Sequence, residues 1–183
     1  MNEKRKLTAK DIAECAIFTA LIIASAYISI PFYPVPLTFQ TAVCVLCGIL
    51  LGAKKGVAAT LCYALIGVLG LPVFSGFKGG IASFLTPTFG YVLGFILSAL
   101  SAGILSKNKI LTYKKAVIVC MIASLACYFI GIIYFIFVWV YLYDGLNSLL
   151  VAIFSYNLIY LPKDLALCFL TALIYKKVLP LLK

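Results

Sequence analysis

Lys163 and Asp164 stand side by side at the start of an apolar segment, directly after Pro162. Ionisable groups set into a membrane span are costly and by default mark a functional site. An acid in the first turn of a helix also gains from the backbone dipole, so capping is the plainer role open to Asp164. Lys78 is the sole charge in a long stretch rich in glycine and aromatics, Gly70 to Gly90. It is either a free surface lysine or the counter-charge for an anionic ligand group. The polar residues Thr38, Gln40 and Asn157 could exchange hydrogen bonds with a small molecule.

Other chemistries find no residues to carry them. The chain has no histidine, no G-x-S-x-G and no glycine-rich phosphate loop. Its seven cysteines include a C-x-x-C at Cys44 and Cys47, but all fall in apolar segments, where a small buried side chain is the expected role. An intramembrane aspartyl protease needs two facing aspartates, whereas Asp144 falls in a loop. The sequence therefore reads as a non-enzyme that needs neither metal nor cofactor.

The elements that position these residues follow from the hydrophobic pattern. Of the 183 residues 65% are hydrophobic and 11% charged, too apolar for a soluble domain of this size. Charge-free runs extend over Cys15–Ala53, Gly56–Phe77, Gly79–Ser106 and Ala116–Tyr143. A spanning helix needs roughly 20 apolar residues. The first run holds two, divided by Pro31, Pro34 and Pro36. The expected architecture is an all-α integral membrane protein, a single domain over 1–183 with six transmembrane helices at about 10–30, 38–53, 56–72, 88–106, 116–141 and 160–178. Gly145–Tyr160 is expected as an external loop or partial helix.

Orientation follows from the lysines and arginines. Lys4, Arg5, Lys6 and Lys10 precede the first span; Lys54 and Lys55 separate spans two and three. Lys107, Lys109, Lys114 and Lys115 separate spans four and five, and Lys176, Lys177 and Lys183 follow span six. Only Lys78 and Lys163 fall on the opposite side, which is the positive-inside pattern with both termini cytoplasmic. The net charge of +10 thus serves topology and contact with the lipid bilayer rather than nucleic acid. Ala24-Ser25-Ala26 resembles a signal-peptide cleavage site, but Asp11 and Glu14 do not suit such a leader, and cleavage would reverse the parity.

The external segments PFYPVPLTFQ (31–40) and GLPVFSGFKGGIASFLTPTFG (70–90) are nearly uncharged. An ordinary solvated loop carries more charge, and backbone of this kind at membrane depth needs protein or a cavity around it. The pattern describes a lid over a small-molecule pocket, with an interfacial aromatic belt as the simpler alternative. On the first span Ala16, Ala20 and Ala24 form a smooth stripe, suited equally to internal helix packing and to docking on another protein.

These segments resemble a known family. Pro34-Val35-Pro36-Leu37-Thr38-Phe39-Gln40 resembles the P-V-P-x-T-x-Q signature of BioY, the biotin-specific substrate-binding (S) component of energy-coupling factor (ECF) transporters. Gly70-Leu71-Pro72-Val73-Phe74, Gly79-Gly80 and Pro87-Thr88-Phe89-Gly90-Tyr91 resemble its G-L-P-V-F, G-G and P-T-G-G-Y stretches, and Pro162-Lys163-Asp164 its P-G-D segment. Phe89 and Lys163 stand where that pattern has glycine, and Leu167 where it has a lysine.

The resemblance implies a bacterial plasma-membrane subunit that binds biotin under the first and third loops. Its partners would be a transmembrane coupling protein, EcfT, and the ABC ATPases EcfA and EcfA′, with the alanine stripe as the docking motif. It brings Gly80 and Thr88 into the candidate site with Thr38, Gln40, Asn157 and Asp164, which would serve the ureido ring. Phe74, Phe89 and Tyr91 would be the walls, and Lys78 or Lys163 the carboxylate partner. The same fold serving another vitamin, and a ligand-free membrane scaffold, are the alternatives.

Overall fold

The computed structural model describes residues 8–30, 37–107, 110–142 and 160–182. Asn157, Pro31–Pro36 and most of Gly145–Tyr160 lie outside the described residues, as do both chain ends. Within them the chain forms six α-helices: α1 (Ala9–Tyr27), α2 (Gln40–Leu51), α3 (Ala53–Val68), α4 (Phe89–Leu105), α5 (Tyr113–Leu142) and α6 (Leu161–Val178).

Helix α1 opens on a capping box. The Thr8 hydroxyl oxygen accepts from the Asp11 N–H at 3.2 Å, and the Thr8 N–H donates to the Asp11 carboxylate at 3.0 Å. The helix stops at Tyr27 rather than 30. Ser29–Ile30 (β1) instead pairs antiparallel with Leu37–Thr38 (β2), Ser29 opposite Thr38. Prolines at 31, 34 and 36 remove N–H donors that a continuing helix would need, and the chain at Ser29–Ile30 pairs with β2 instead.

Helix α2 starts at Gln40 rather than 38 and ends at Gly52, whose φ of 81° breaks the helix. Twelve residues reach only about 18 Å, short of the hydrocarbon core. Helix α3 follows at once and takes Lys54 and Lys55 into its first turn. There Lys55 Nζ lies 3.1 Å from Asp11 and also donates to Glu14, tying the starts of α1 and α3 together. Helix α3 stops at Val68 rather than 72, ahead of Gly70 at φ 110° and Pro72. Among the described residues only α5, at 30 residues, meets the length and apolarity of a full span unaided.

Helix α4 sits at the centre, packed against α2, α3 and α5; α1 lies on α2 and α3, and α6 on α5 and α2. Small residues allow the closest approach. A Cβ on Gly94 would lie 2.6 Å from the Cys127 carbonyl oxygen, so α4 and α5 touch backbone to backbone. Two cores result. One, near the lysine-bearing turns, gathers Val45, Ile49, Val119, Ala172 and Tyr175. The other, near the first and third loops, gathers Tyr63, Phe74, Phe89, Phe95 and Cys127. Outward-facing positions are apolar as well: Ile118, Ile122, Leu125, Phe129, Ile133 and Phe137 line the outer face of α5.

Candidate functional site

A cavity of about 960 Å³, its mouth included, opens at the end of the bundle that carries the first and third loops. Strand β2, helices α2 to α6 and the third loop all contribute to its wall.

The third loop forms the roof. Beyond α3, Phe74 and Lys78 pair backbone to backbone, with N···O distances of 2.9 and 3.3 Å, around a tip where Gly76 and Phe77 both adopt positive φ. The Phe77 ring stacks on Tyr27 at 4.7 Å, and the Tyr27 hydroxyl donates to the Pro72 carbonyl at 2.7 Å. The Gly80 N–H, at φ 88°, then donates to the Gly67 carbonyl at 2.7 Å and starts a 3-10 turn, Ile81–Leu85. Tyr134 of α5 donates its hydroxyl to the Phe84 carbonyl and fastens this turn to the bundle.

Beneath the roof the wall is aromatic. Phe74 meets Tyr63 edge-on at 5.5 Å and Phe89 at 6.0 Å. Phe89 in turn lies 4.4 Å from Phe84 and is only 3% exposed. The bulky side chain that stands in place of glycine is therefore part of the packed wall. Deeper in, Tyr91 meets Tyr128 edge-on at 5.9 Å. Gly67 makes the closure possible, since a Cβ there would lie 2.1 Å from the Phe74 ring.

The polar groups converge on one corner. Asp164, 5% exposed, sits in the first turn of α6. Its Oδ2 accepts from the Tyr128 hydroxyl of α5. Its Oδ1 lies 2.9 Å from Lys163 Nζ, within ion-pair range, yet is buried with no hydrogen bond among the described residues. Lys163 Nζ donates to the Thr38 carbonyl of β2 at 2.7 Å. Across the cavity, Gln40 Nε2 donates to the Tyr63 hydroxyl at 2.6 Å, and the Ser75 hydroxyl is buried without a partner among the described residues. Buried polar groups are nearly always paired, so the Ser75 hydroxyl and the spare lone pair of the ion-paired Asp164 Oδ1 leave hydrogen-bonding capacity in this wall.

Thr38, Gln40, Phe74, Lys78, Thr88, Phe89, Tyr91, Lys163 and Asp164 all border the cavity, with Lys78 exposed at its mouth. Gly80 does not. Its positive φ and its bond to Gly67 make it a backbone turn within the third loop. Ala16, Ala20 and Ala24 lie together on the exposed face of α1, remote from the cavity lining. Sequence reasoning missed Thr41, Tyr63, Ser75, Tyr128 and Tyr160, which also line it. For Tyr63 and Tyr128 one signal was present: each places a hydroxyl inside an otherwise apolar run.

A family model described as the BioY family matches residues 1–183. Among curated proteins, the biotin transporter BioY of Thermotoga maritima is 46% identical over 100 residues, 55% of this chain and 59% of that protein. The match thus spans about three fifths of the length of that relative. The biotin transporter BioY of Lactococcus lactis subsp. cremoris is 31% identical over 176 residues, 92% of this chain and 89% of that protein. Among solved structures, the S-component for biotin from an ECF-type ABC transporter, a crystal structure at 2.1 Å, superposes with a TM-score of 0.77 at 28% identity, covering 94% of both chains.

Proposed function

The chain belongs to the BioY family, and from that membership we propose that it is the high-affinity biotin-binding S component of an ECF-type importer. It captures the vitamin from outside under the first and third loops. The observation that carries this reading is the buried Asp164 Oδ1, an acceptor with unfilled capacity in the wall of an aromatic cavity. Biotin's ureido ring offers two N–H donors and a carbonyl. One N–H fills Asp164, and Thr38 and Gln40 complement the rest. Phe74, Phe89 and Tyr91 enclose the sulfur ring, and Thr88 borders it at the start of α4.

The valerate carboxylate needs a cation. Lys163 is already held by the Thr38 carbonyl and Asp164, which favours Lys78 at the cavity mouth for that task. Six transmembrane helices with both termini in the cytoplasm agree with the placement of the lysines and arginines. The exposed Ala16, Ala20 and Ala24 stripe is the face that docks on EcfT, and the ABC ATPases EcfA and EcfA′ supply the energy. Calorimetric titration of the purified protein with biotin, thiamine and riboflavin tests the reading. Saturable binding of biotin alone is expected; binding of another vitamin in its place, or of none, overturns it.

A further inference from the structure

The polar corner holds one residue whose hydroxyl is directed at the acid beside it rather than at the centre of the cavity. Tyr128 is 7% exposed, and its ring is fixed edge-on against Tyr91. A Cβ on Gly131, one turn further along α5, would lie 2.6 Å from that Tyr91 ring, so the glycine leaves the room in which the two tyrosines pack. In this setting the Tyr128 hydroxyl donates to Asp164 Oδ2.

We propose that Tyr128 is a positioning residue that occupies one oxygen of Asp164 and so restricts the site to ligands presenting an N–H donor to the other. The inference deepens the biotin reading and rests on it. An ionised carboxylate only accepts hydrogen bonds. With Oδ2 taken by a phenol, Oδ1, which lies 2.9 Å from Lys163 Nζ but accepts no hydrogen bond among the described residues, is the oxygen with a lone pair left for the ligand. A ligand that places an oxygen or a methyl group against Oδ1 offers that acceptor no hydrogen. A site built to pair with an N–H rejects an analogue lacking it far more strongly than an apolar pocket rejects a change of size. Without the phenol the carboxylate can rotate and offer either oxygen, and the ring geometry of the ligand is no longer selected.

The test compares biotin with its two analogues methylated on one or the other ureido nitrogen, by calorimetry on the full-length protein. Wild-type protein is expected to reject at least one analogue by about tenfold or more. Tyr128→Phe, which keeps the ring, is expected to lose about tenfold in biotin affinity and to narrow that preference. In an Asp164→Ala background Tyr128→Phe should cost nothing further, whereas a tyrosine that merely supports the fold would cost the same in both backgrounds. Equal binding of biotin and both analogues by the wild type overturns the proposal without recourse to any variant. So does a Tyr128→Phe protein with unchanged affinity and preference. Failure of the wild type to bind biotin at all is a different result, and takes the functional reading down with it.

Discussion

The ammonium of Lys163 lies 2.7 Å from the carbonyl oxygen of Thr38, its donor and acceptor separated by 125 residues of chain. The same nitrogen is 2.9 Å from Asp164 Oδ1. One side chain therefore joins the strand that closes the first loop to the acid in the first turn of the last helix. Strand β2 and the polar corner of the cavity are thereby tied together.

Removing either Asp164 or Lys163 should weaken ligand capture. Asp164→Ala deletes the buried acceptor, and a ligand donor left without a partner in a closed site costs about 1–3 kcal/mol. Biotin affinity is expected to fall about tenfold or more by calorimetry. Lys163→Met keeps the aliphatic stem but frees the Thr38 carbonyl, and a fall of similar size is expected. Wild-type affinity in Asp164→Ala would remove that residue from the site.

Tyr134→Phe tests the roof. Its hydroxyl fastens the Phe84 carbonyl, and with it the Ile81–Leu85 turn, to α5. Without it the roof opens more often, so biotin should dissociate several-fold faster. Association should change little, because most affinity changes within one site appear in the off-rate. Radiolabelled biotin chase from detergent-purified protein reads this directly; an unchanged off-rate would mean that other interactions hold the turn.

Gly67→Ala should damage binding despite alanine's better helix propensity of roughly 1 kcal/mol. The added methyl would lie 2.1 Å from the Phe74 ring, which must then swing away from its place in the wall. A drop in biotin affinity of about tenfold or more, with the protein still eluting as a folded species, is the expected outcome. Binding equal to wild type would show that Phe74 is not a fixed wall.

The alanine stripe separates binding from transport. Ala20→Trp puts a large ring in the middle of the smooth exposed face of α1. Biotin titration of the isolated subunit should be unaffected, while co-purification with EcfT and biotin uptake by cells should be abolished. Uptake at the wild-type rate would assign the stripe no part in docking.

Much of this molecule is legible in its residues. The charge-free runs fall on the helices of the described residues, as long apolar stretches bounded by charges suit a lipid surround. The nearly uncharged, glycine-rich third loop announces itself as something other than a solvated connection. Asp164 stands out because an acid at the start of an apolar segment is costly without a purpose. The early ends of α1 and α3 are harder to see. They depend on a two-residue strand pairing and on single glycines at positive φ, which periodicity does not register.

What the tertiary structure alone decided is which groups meet. Tyr128 lies 36 residues from Asp164 in the chain, and its phenol is an ordinary polar atom until α5 and α6 pack side by side. By sequence Lys163 is a cation open to the ligand, yet in the fold it is engaged by Thr38 and Asp164. By resemblance Gly80 is a ligand contact, and in the fold its N–H is bonded to the Gly67 carbonyl. Composition and spacing report the solvent around each residue, since burial in lipid acts on every residue separately. Partnership depends on distance between helices, and that is set only when their small residues come together.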